Sequence, residues 1–335
     1  MLRQNVIIAI LTLLAAGAVG LAQPPTSPTG DYLGQPPPGP EPRLFAPGIV
    51  STGLAERDVA ITPDGNEIYF SSYLGRYTHT AILVVRRVDG RWLTPEVTPF
   101  SADPQNLDLE PALSADGKRL FFLSNRPDRP GGKPGNQDIW VVDRSGAGWG
   151  QPYNLGAPVN TAGAEYFPSL TRSGTLYFTR EDGPNRASSI YRSRLVDGKH
   201  AEPERLPDAV NSGTSRFNAF VAPDESFLVY AMLGRSDSLG SVDYYVAFRG
   251  ADDSWSAPVN LGPKINAPGG EGYSPYISPD GKYFFFMSTR PSPAAELFGG
   301  RLSRAGLQRA LASPGNGNPD IWWVDASFLQ ALRPR

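Results

Sequence analysis

The chain has 335 residues, of which 40% are hydrophobic and 19% charged, with 36 Gly, 34 Pro and no Cys. The 31 basic and 33 acidic residues give a formal net charge of −2, which offers no long-range attraction to a polyanion and argues against nucleic acid as a partner. The lack of Cys excludes disulfides and thiolate metal sites, so stability must come from buried apolar area.

Residues 1–22 have the pattern of a signal peptide. Arg3 supplies a positive charge, residues 6–14 form an uncharged apolar run, and the small residues Gly20 and Ala22 suit a cleavage site after Ala22. An uncleaved membrane anchor is the alternative, but the apolar run is short for a bilayer span. We therefore expect an exported protein, periplasmic or extracellular, without a membrane span once the signal peptide is removed.

Residues 23–43 are rich in proline. Proline at this density favours extended polyproline II structure and cannot enter a helix or a central strand. We predict a disordered tether over 23–43, followed by a single domain over 44–335. The prolines are Pro24, Pro25, Pro28, Pro36, Pro37, Pro38, Pro40 and Pro42.

A turn motif recurs along the rest of the chain at intervals of 52, 57, 51 and 56 residues. Each copy is preceded by a short apolar segment and followed by an apolar, aromatic run such as residues 120–123, so each copy predicts a β-hairpin. Repeats of this length indicate a repeat architecture. The copies are Pro63-Asp64-Gly65, Asp116-Gly117, Ser173-Gly174, Asp224 and Pro279-Asp280-Gly281.

Two further strands follow each hairpin. The third begins with segments such as Asp138-Ile139-Trp140, and the fourth carries an aromatic residue three positions before a proline, as in Trp92 and Pro95. Four antiparallel strands per repeat are typical of a propeller blade. We predict an all-β fold, a five-bladed β-propeller of four-stranded blades, with six blades as the alternative if one divergent copy escaped detection.

The fifth repeat lacks its fourth strand. After Asp320-Ile321-Trp322 the chain ends without the Trp-x-x-Pro pattern, whereas residues 47–52 near the start resemble residues 262–266, which follow that strand in the fourth repeat. We therefore expect the N-terminal strand to complete the last blade, which removes exposed sheet edges and closes the ring.

These motifs resemble the Pro-Asp-Gly repeat family of WD-repeat-like propellers, found in TolB-like and prolyl-oligopeptidase-type propellers. The run Ser278-Pro279-Asp280-Gly281-Lys282-Tyr283 and the later Asp320-Ile321-Trp322-Trp323 are similar to those of exported bacterial propellers of unassigned function. The resemblance covers residues 44–330 and implies the propeller fold. It implies no Tol-type role, because the separate N-terminal domain of TolB has no counterpart ahead of the first strand.

Charged residues stand just before each hairpin. Because the innermost strands of a propeller line its channel, we expect an acidic ring at the channel mouth, interrupted in the fourth repeat. Such a ring could hold Ca²⁺ or receive basic groups of a ligand; alternatively, the carboxylates only cap backbone amides. The candidates are Glu56, Asp108, Glu165 and Arg216, eight residues before the turn; Asp58, Glu110 and Asn218, six residues before it; and Glu271, nine residues before it.

The sequence shows no catalytic constellation. Neither a Gly-x-Ser-x-Gly elbow nor a phosphate-binding glycine loop is present, and we interpret His79 and His200 as structural. We expect a monomeric binding scaffold without enzymatic activity or a required cofactor, which recognises a protein, a glycan or a peptidoglycan-related ligand on one face. The alternative is a hydrolase or lyase that uses Glu165 or Glu110 as acid or base at the channel mouth.

Overall fold

The structure is a computed structural model that describes residues 27–127 and 131–334. Five small antiparallel sheets stand in a ring, so the protein is a five-bladed β-propeller, as the five repeats predicted. The predicted signal peptide, residues 1–22, lies outside the described residues. No helix within the described ranges is long and apolar enough to cross a membrane.

The strands follow the chain from blade to blade, after an N-terminal strand β1 (Arg43–Leu44). Blade 1 contains β2 (Ala55–Ile61), β3 (Glu67–Leu74), β4 (His79–Val88), β5 (Arg91–Trp92) and β6 (Glu96–Val97). Blade 2 contains β7 (Asp108–Leu113), β8 (Arg119–Ser124), β9 (Asp138–Ser145), β10 (Gly148–Trp149) and β11 (Tyr153–Asn154). Blade 3 contains β12 (Glu165–Leu170), β13 (Leu176–Glu181), β14 (Ser188–Ser193), β15 (Leu195–Val196), β16 (Lys199–His200) and β17 (Glu204–Arg205). Blade 4 contains β18 (Ser215–Val221), β19 (Phe227–Leu233), β20 (Asp243–Phe248) and β21 (Val259–Asn260). Blade 5 contains β22 (Tyr276–Ile277), β23 (Tyr283–Ser288) and β24 (Asp320–Asp325).

Both ends of the chain meet in blade 5, whose strand order is β1-β24-β23-β22. Arg43 of β1 is paired with Trp323 of β24, and the backbone amide of Phe45 donates to the carbonyl oxygen of Ile321 at 2.8 Å. Ser51 Oγ donates to the same carbonyl at 3.0 Å. The prediction that the N-terminal strand completes the last blade is confirmed.

Aspartate side chains shape the hairpin turns. In blade 2, Asp116 Oδ1 accepts hydrogen bonds from Ser114 Oγ at 2.6 Å and from the amide of Lys118 at 3.1 Å. These bonds lower the pKa of Asp116, and Gly117 beside it takes a φ of 68°, which suits glycine. Asp64, Asp224 and Asp280 accept from turn amides in the same way. The carboxylates are thus used within their turns.

The apolar core lies between neighbouring blades. Tyr69 and Ile82 of blade 1, for example, pack with Phe122 and Leu120 of blade 2 in one buried cluster. His200 takes the place of the aromatic residue of the fourth strand in blade 3, edge-on to Phe121 with ring centroids 6.3 Å apart, and burial lowers its pKa. Each blade therefore buries its faces against its neighbours in the ring.

Residues 27–43, the described part of the expected tether, contact the propeller. Trp92 Nε1 of blade 1 donates to the carbonyl oxygen of Gly30 at 2.7 Å, and the ring of Tyr32 lies 5.6 Å from that of Trp323 in blade 5. Leu33 is buried. Proline density predicts a free spacer; the difference arises because the partly buried ring of Tyr32 and the buried side chain of Leu33 pack against the cluster at the junction of blades 5 and 1.

Three short α-helices complete the fold of the described residues. Two of them, α1 (Ala294–Phe298) and α2 (Arg304–Leu311), lie in the long connection between β23 and β24 of blade 5, and α3 (Phe328–Ala331) follows its last strand. Ser303 caps α2, since its Oγ accepts from the amide of Gly306 at 3.0 Å.

Candidate functional site

A residue with positive φ stands at the same repeat position in every blade, six residues before the turn, within the innermost strand of blades 1 to 4 and just before it in blade 5. A positive φ is uncommon for residues other than glycine and costs about 1–3 kcal/mol, so the surroundings must hold it in place. In blades 1 to 4 the pairing register shifts at this point, as in a β-bulge. We name these five residues the bulge set: Asp58 (57°), Glu110 (61°), Phe167 (52°), Asn218 (53°) and Ser274 (108°).

Hydrogen bonds connect the bulge set from blade to blade. The amide of Glu110 donates to Asp58 Oδ2 at 3.2 Å, and the amide of Phe167 donates to Glu110 Oε2 at 2.7 Å. From blade 5, Ser274 Oγ donates to Asp58 Oδ1 at 2.5 Å. These bonds link blades 5, 1, 2 and 3 at one level of the channel and hold two buried carboxylates there.

Arg57 lies between those two carboxylates. Its Nε donates to Asp58 Oδ1 at 2.8 Å and its Nη2 to Glu110 Oε1 at 2.6 Å. Although burial opposes it, the charge of Asp58 and then that of Glu110 hold the pKa of Arg57 well above its usual value. Burial and the charge of Asp58 raise the pKa of Glu110 to about 7, against the opposing effect of Arg57.

Tyrosine rings surround the guanidinium. Arg57 lies 4.7 Å from the ring centroid of Tyr273 and donates from Nη1 to Tyr77 Oη at 3.1 Å. The two hydroxyl oxygens of Tyr77 and Tyr273 are 2.9 Å apart. Tyr77 stands in the turn between β3 and β4 and stacks on Tyr73 with centroids 4.2 Å apart. The hairpin tip of blade 1 thus reaches over the start of the innermost strands.

A cavity of about 380 Å³ opens at this end of the channel. Its size falls within the usual range for small-ligand pockets. Asn218 lines it and is 2% exposed, and its carboxamide oxygen has no hydrogen-bond partner among the described residues. The lining consists of Arg57, Tyr77, Leu107, Leu109, Glu110, Leu123, Gln137, Tyr166, Arg186, Phe217, Asn218, Val242 and Tyr273.

One repeat position supplies a lining residue from all five blades: the residue seven positions before the turn. We name these five residues the channel set; they are Arg57, Leu109, Tyr166, Phe217 and Tyr273. The sequence interpretation singled out their neighbours on either side instead. Strand alternation was the signal that could have found the channel set, because consecutive side chains of a strand point to opposite sides.

We name the candidates eight residues before the turn the outer set. Their side chains form hydrogen bonds and ion pairs with the surrounding strands and loops. Glu165 accepts from the amide of Thr161 at 3.0 Å and from Arg180 Nε at 2.9 Å. The carboxylate of Glu56 accepts from the amide and hydroxyl of Thr52 in the same arrangement. None of the outer set is among the residues that line the cavity. The set consists of Glu56, Asp108, Glu165 and Arg216.

The remaining two members of the outer set are bonded to the strands and loops around them, Asp108 within blade 2 and Arg216 of blade 4 to Ser189 of blade 3. Asp108 forms an ion pair with Arg126 at 2.7 Å and accepts from Ser124 Oγ at 2.6 Å. Arg216 donates to Asn211 Oδ1 at 3.2 Å and to Ser189 Oγ at 3.1 Å. Glu271, nine residues before its turn, is exposed and stands apart from this group. The structure therefore brings together Asp58 and Glu110 around Arg57, with Asn218 at the same cavity.

Two carboxyl groups face each other where blade 5 meets blade 1. Burial raises the pKa of Glu56 to about 7, with hydrogen bonds from Thr52 acting against the shift. Burial also raises the pKa of Asp320 to about 7, and the charge of Glu56 adds to that effect. Within residues 27–127 and 131–334, no group of three or more His, Cys, Asp or Glu side chains is placed to hold a metal ion.

Comparison with known proteins gives structural similarity at low sequence identity. TolB from Acinetobacter baumannii shares 16% identity with a TM-score of 0.45, over 81% of this chain and 57% of that one. A thermostable family-43 glycoside hydrolase shares 13% with a TM-score of 0.47, over 81% and 88%. The periplasmic gluconolactonase PpgL of Pseudomonas aeruginosa shares 15% with a TM-score of 0.39, over 69% and 64%.

These similarities concern the fold alone. The chain is a β-propeller similar in structure to TolB and to hydrolase propellers. No family model matches it, and no curated protein matches it either. The chain spans 57% of the length of the TolB structure.

Proposed function

We propose that the protein is an exported binding scaffold of the Pro-Asp-Gly repeat type, which holds a glycan or a peptidoglycan-related ligand in the cavity at the channel mouth. Export rests on the signal-peptide pattern of residues 1–22. The single observation that carries ligand binding is the convergence of the channel set, one residue from each of five blades, on one cavity.

The character of the lining supports a small ligand with both polar groups and an apolar face. Tyr166 and Phe217 offer ring faces on which a ligand can pack. Glu110 and Gln137 of blade 2 and Asn218 of blade 4 offer hydrogen-bonding groups. Few polar groups among apolar walls are typical of sites that orient a ligand.

Soluble peptidoglycan fragments and neutral oligosaccharides test this proposal. Thermal shift first identifies which of these compounds bind to the wild type. Those compounds are then titrated by calorimetry into the wild type, Tyr166→Ala and Phe217→Ala. Each variant is expected to bind them at least tenfold more weakly than the wild type. Tyr153→Ala is the matched control, because Tyr153 is exposed on β11 and does not line the cavity. Binding that is equal in all four proteins, or absent for every fragment, contradicts the proposal.

An enzyme is the second candidate, and one observation favours it. Glu110 lines the cavity and has a pKa raised to about 7 by burial, which suits an acid or base near neutral pH. Each of its oxygens, however, already accepts a hydrogen bond, one from Arg57 and one from the backbone amide of Phe167, and no Ser or Cys nucleophile and no His or second carboxylate accompanies it among the described lining residues. Glu165, the other carboxylate considered, does not line the cavity.

Product analysis separates the two candidates. The fragments that bind are incubated with the wild type and with Glu110→Gln, and the products are resolved by mass spectrometry. A scaffold leaves every fragment intact in both proteins. Turnover by the wild type that is lost in Glu110→Gln would replace the scaffold with the enzyme.

A further inference from the structure

Among the residues that the structure describes, the charges at the cavity do not balance. Its inner part holds one guanidinium, that of Arg57, between the two carboxylates of Asp58 and Glu110. The other lining cation, Arg186, has a side chain that is 72% exposed and forms an ion pair with Glu181 at 2.8 Å. With both carboxylates ionised, the buried group therefore carries one excess negative charge.

The cavity also has an acceptor that lacks a donor. The carboxamide oxygen of Asn218 has no partner among the described residues, although the side chain is almost fully buried. A buried acceptor that meets no donor destabilises the folded protein. Asn218 takes a positive φ within the bulge set, so the backbone also pays a cost to place this amide at the cavity.

Aromatic rings form much of the wall. Ring faces attract cations, most strongly where water is excluded. Arg57 already occupies the ring of Tyr273 at 4.7 Å, which leaves Tyr166 and Phe217 as lining rings for a ligand. Leu107, Leu109 and Val242 supply apolar contact for the rest of a ligand.

We infer that the cavity recognises a primary ammonium group on a small sugar-like or aliphatic body, with Asn218 and Glu110 as its hydrogen-bond acceptors. The inference rests on the proposed function and specifies the ligand class of that site. An ammonium group supplies three donors and one positive charge, which matches the missing donor and the excess charge together. The raised pKa of Glu110 agrees with the same excess of negative charge, because a proton bound to Glu110 neutralises that charge when no ligand cation is present.

Two pairs of compounds test the inference by calorimetry at pH 7.5. Glucosamine and N-acetylglucosamine represent an amino sugar; Nα-acetyl-lysine amide and Nα,Nε-diacetyl-lysine amide represent a peptide amine. Within each pair, acetylation removes the positive charge and leaves the body of the molecule in place. We expect the free amine of at least one pair to bind at least tenfold more tightly than its acetylated partner, and the pair that responds identifies the source.

Variants connect the effect to the cavity. Glu110→Gln and Asn218→Gly each are expected to weaken binding of the responding amine at least tenfold, and glycine at position 218 accepts the positive φ without strain. Glu56→Gln is the matched control, because Glu56 is a buried carboxyl group that does not line the cavity. Thermal unfolding of each variant verifies that it is folded.

The outcomes distinguish this inference from the proposed function. Equal or tighter binding of the acetylated compounds overturns the ammonium inference and leaves a neutral glycan as the ligand. Failure of all four compounds, while a neutral peptidoglycan fragment binds in a manner that depends on Tyr166 and Phe217, also overturns the inference alone. Amine binding that Glu110→Gln and Asn218→Gly do not weaken places the amine elsewhere and overturns it as well.

Discussion

The outer set and the channel set are one residue apart in sequence and serve different purposes. Glu165 is bonded by Thr161 and Arg180 within its own blade, whereas Tyr166 beside it lines the cavity. Glu56 and Arg57 show the same contrast in blade 1. The side of the strand, and not the presence of charge, separates the outer set from the channel set.

The two sets also differ in how much the residue type varies from blade to blade. Three of the four outer residues are carboxylates bonded to nearby threonines, serines or arginines, so their role repeats from blade to blade. The channel set consists of one arginine, one leucine, one phenylalanine and two tyrosines. A ring of similar blades thereby presents an asymmetric lining, which is what selective recognition requires.

Replacement of Arg57 by Met is expected to have the largest effect. The change leaves Asp58 and Glu110 buried without their cation, and the loss of one partner of a buried ion pair costs about 3–5 kcal/mol. Denaturant unfolding at pH 7 measures it. Arg76→Met is the control, because Arg76 is exposed in the neighbouring hairpin tip; equal losses in the two variants would mean that Arg57 does not hold the carboxylates in place.

Asp108→Asn tests the outer set. The substitution weakens the ion pair with Arg126 and should lower the free energy of unfolding by about 2 kcal/mol, with no change in the affinity of the cavity for its ligand. Unfolding and calorimetry on the same sample check both parts. Asp103→Asn, at an exposed site nearby, should change stability by less than about 0.5 kcal/mol. A loss of affinity in Asp108→Asn contradicts the separation of the two sets.

The raised pKa of Glu56, a member of the outer set, predicts that the free energy of unfolding depends on pH. Its pKa is about 7 in the folded protein against an ordinary 4.5, so the folded state binds the proton more tightly and stability falls as pH rises through 7. Glu56→Gln should remove up to about 3 kcal/mol of the loss between pH 5 and pH 8. The free energy of unfolding at both pH values tests this, with Glu202→Gln, exposed in blade 3, as the control. An unchanged pH slope in Glu56→Gln argues against a protonated Glu56.

Asp116→Ala should have the smallest effect, because its carboxylate serves only one turn at the opposite end of the strand. Loss of its bonds to Ser114 and Lys118 should cost about 1 kcal/mol. Melting temperatures with and without calcium chloride measure the cost and its cause. If Asp116 serves only the turn, the variant's melting temperature decreases by the same amount with and without calcium chloride. If calcium raises the melting temperature of the wild type but not that of Asp116→Ala, the turn role is contradicted.

Much of the fold could be predicted from the sequence, because the spacing of the turns repeats and residues 47–52 resemble residues 262–266. The site was predicted only in part. Asp58, Glu110 and Asn218 were identified, but the interpretation did not separate the outer set from the residues that face the channel. Positive φ at Glu110 or Phe167 has no signature in residue type, since neither glutamate nor phenylalanine favours that conformation. The contacts of Tyr32 and Leu33 with the propeller could not be predicted, because the prolines around them favour a free, extended segment.

The pairing of β1 with β24 determines the order in which the strands of the ring can pair during folding. Ser51 and Ile321, which it brings into hydrogen-bond contact, are 270 residues apart in the chain. The strand that is synthesised first is therefore the last to find its neighbour, and contacts of such long range are slow to form. Until then two unpaired strand edges remain open to other chains. We expect the nascent protein to need a holding chaperone during that interval, and a circular permutant cut in the loop between two middle blades to need it less.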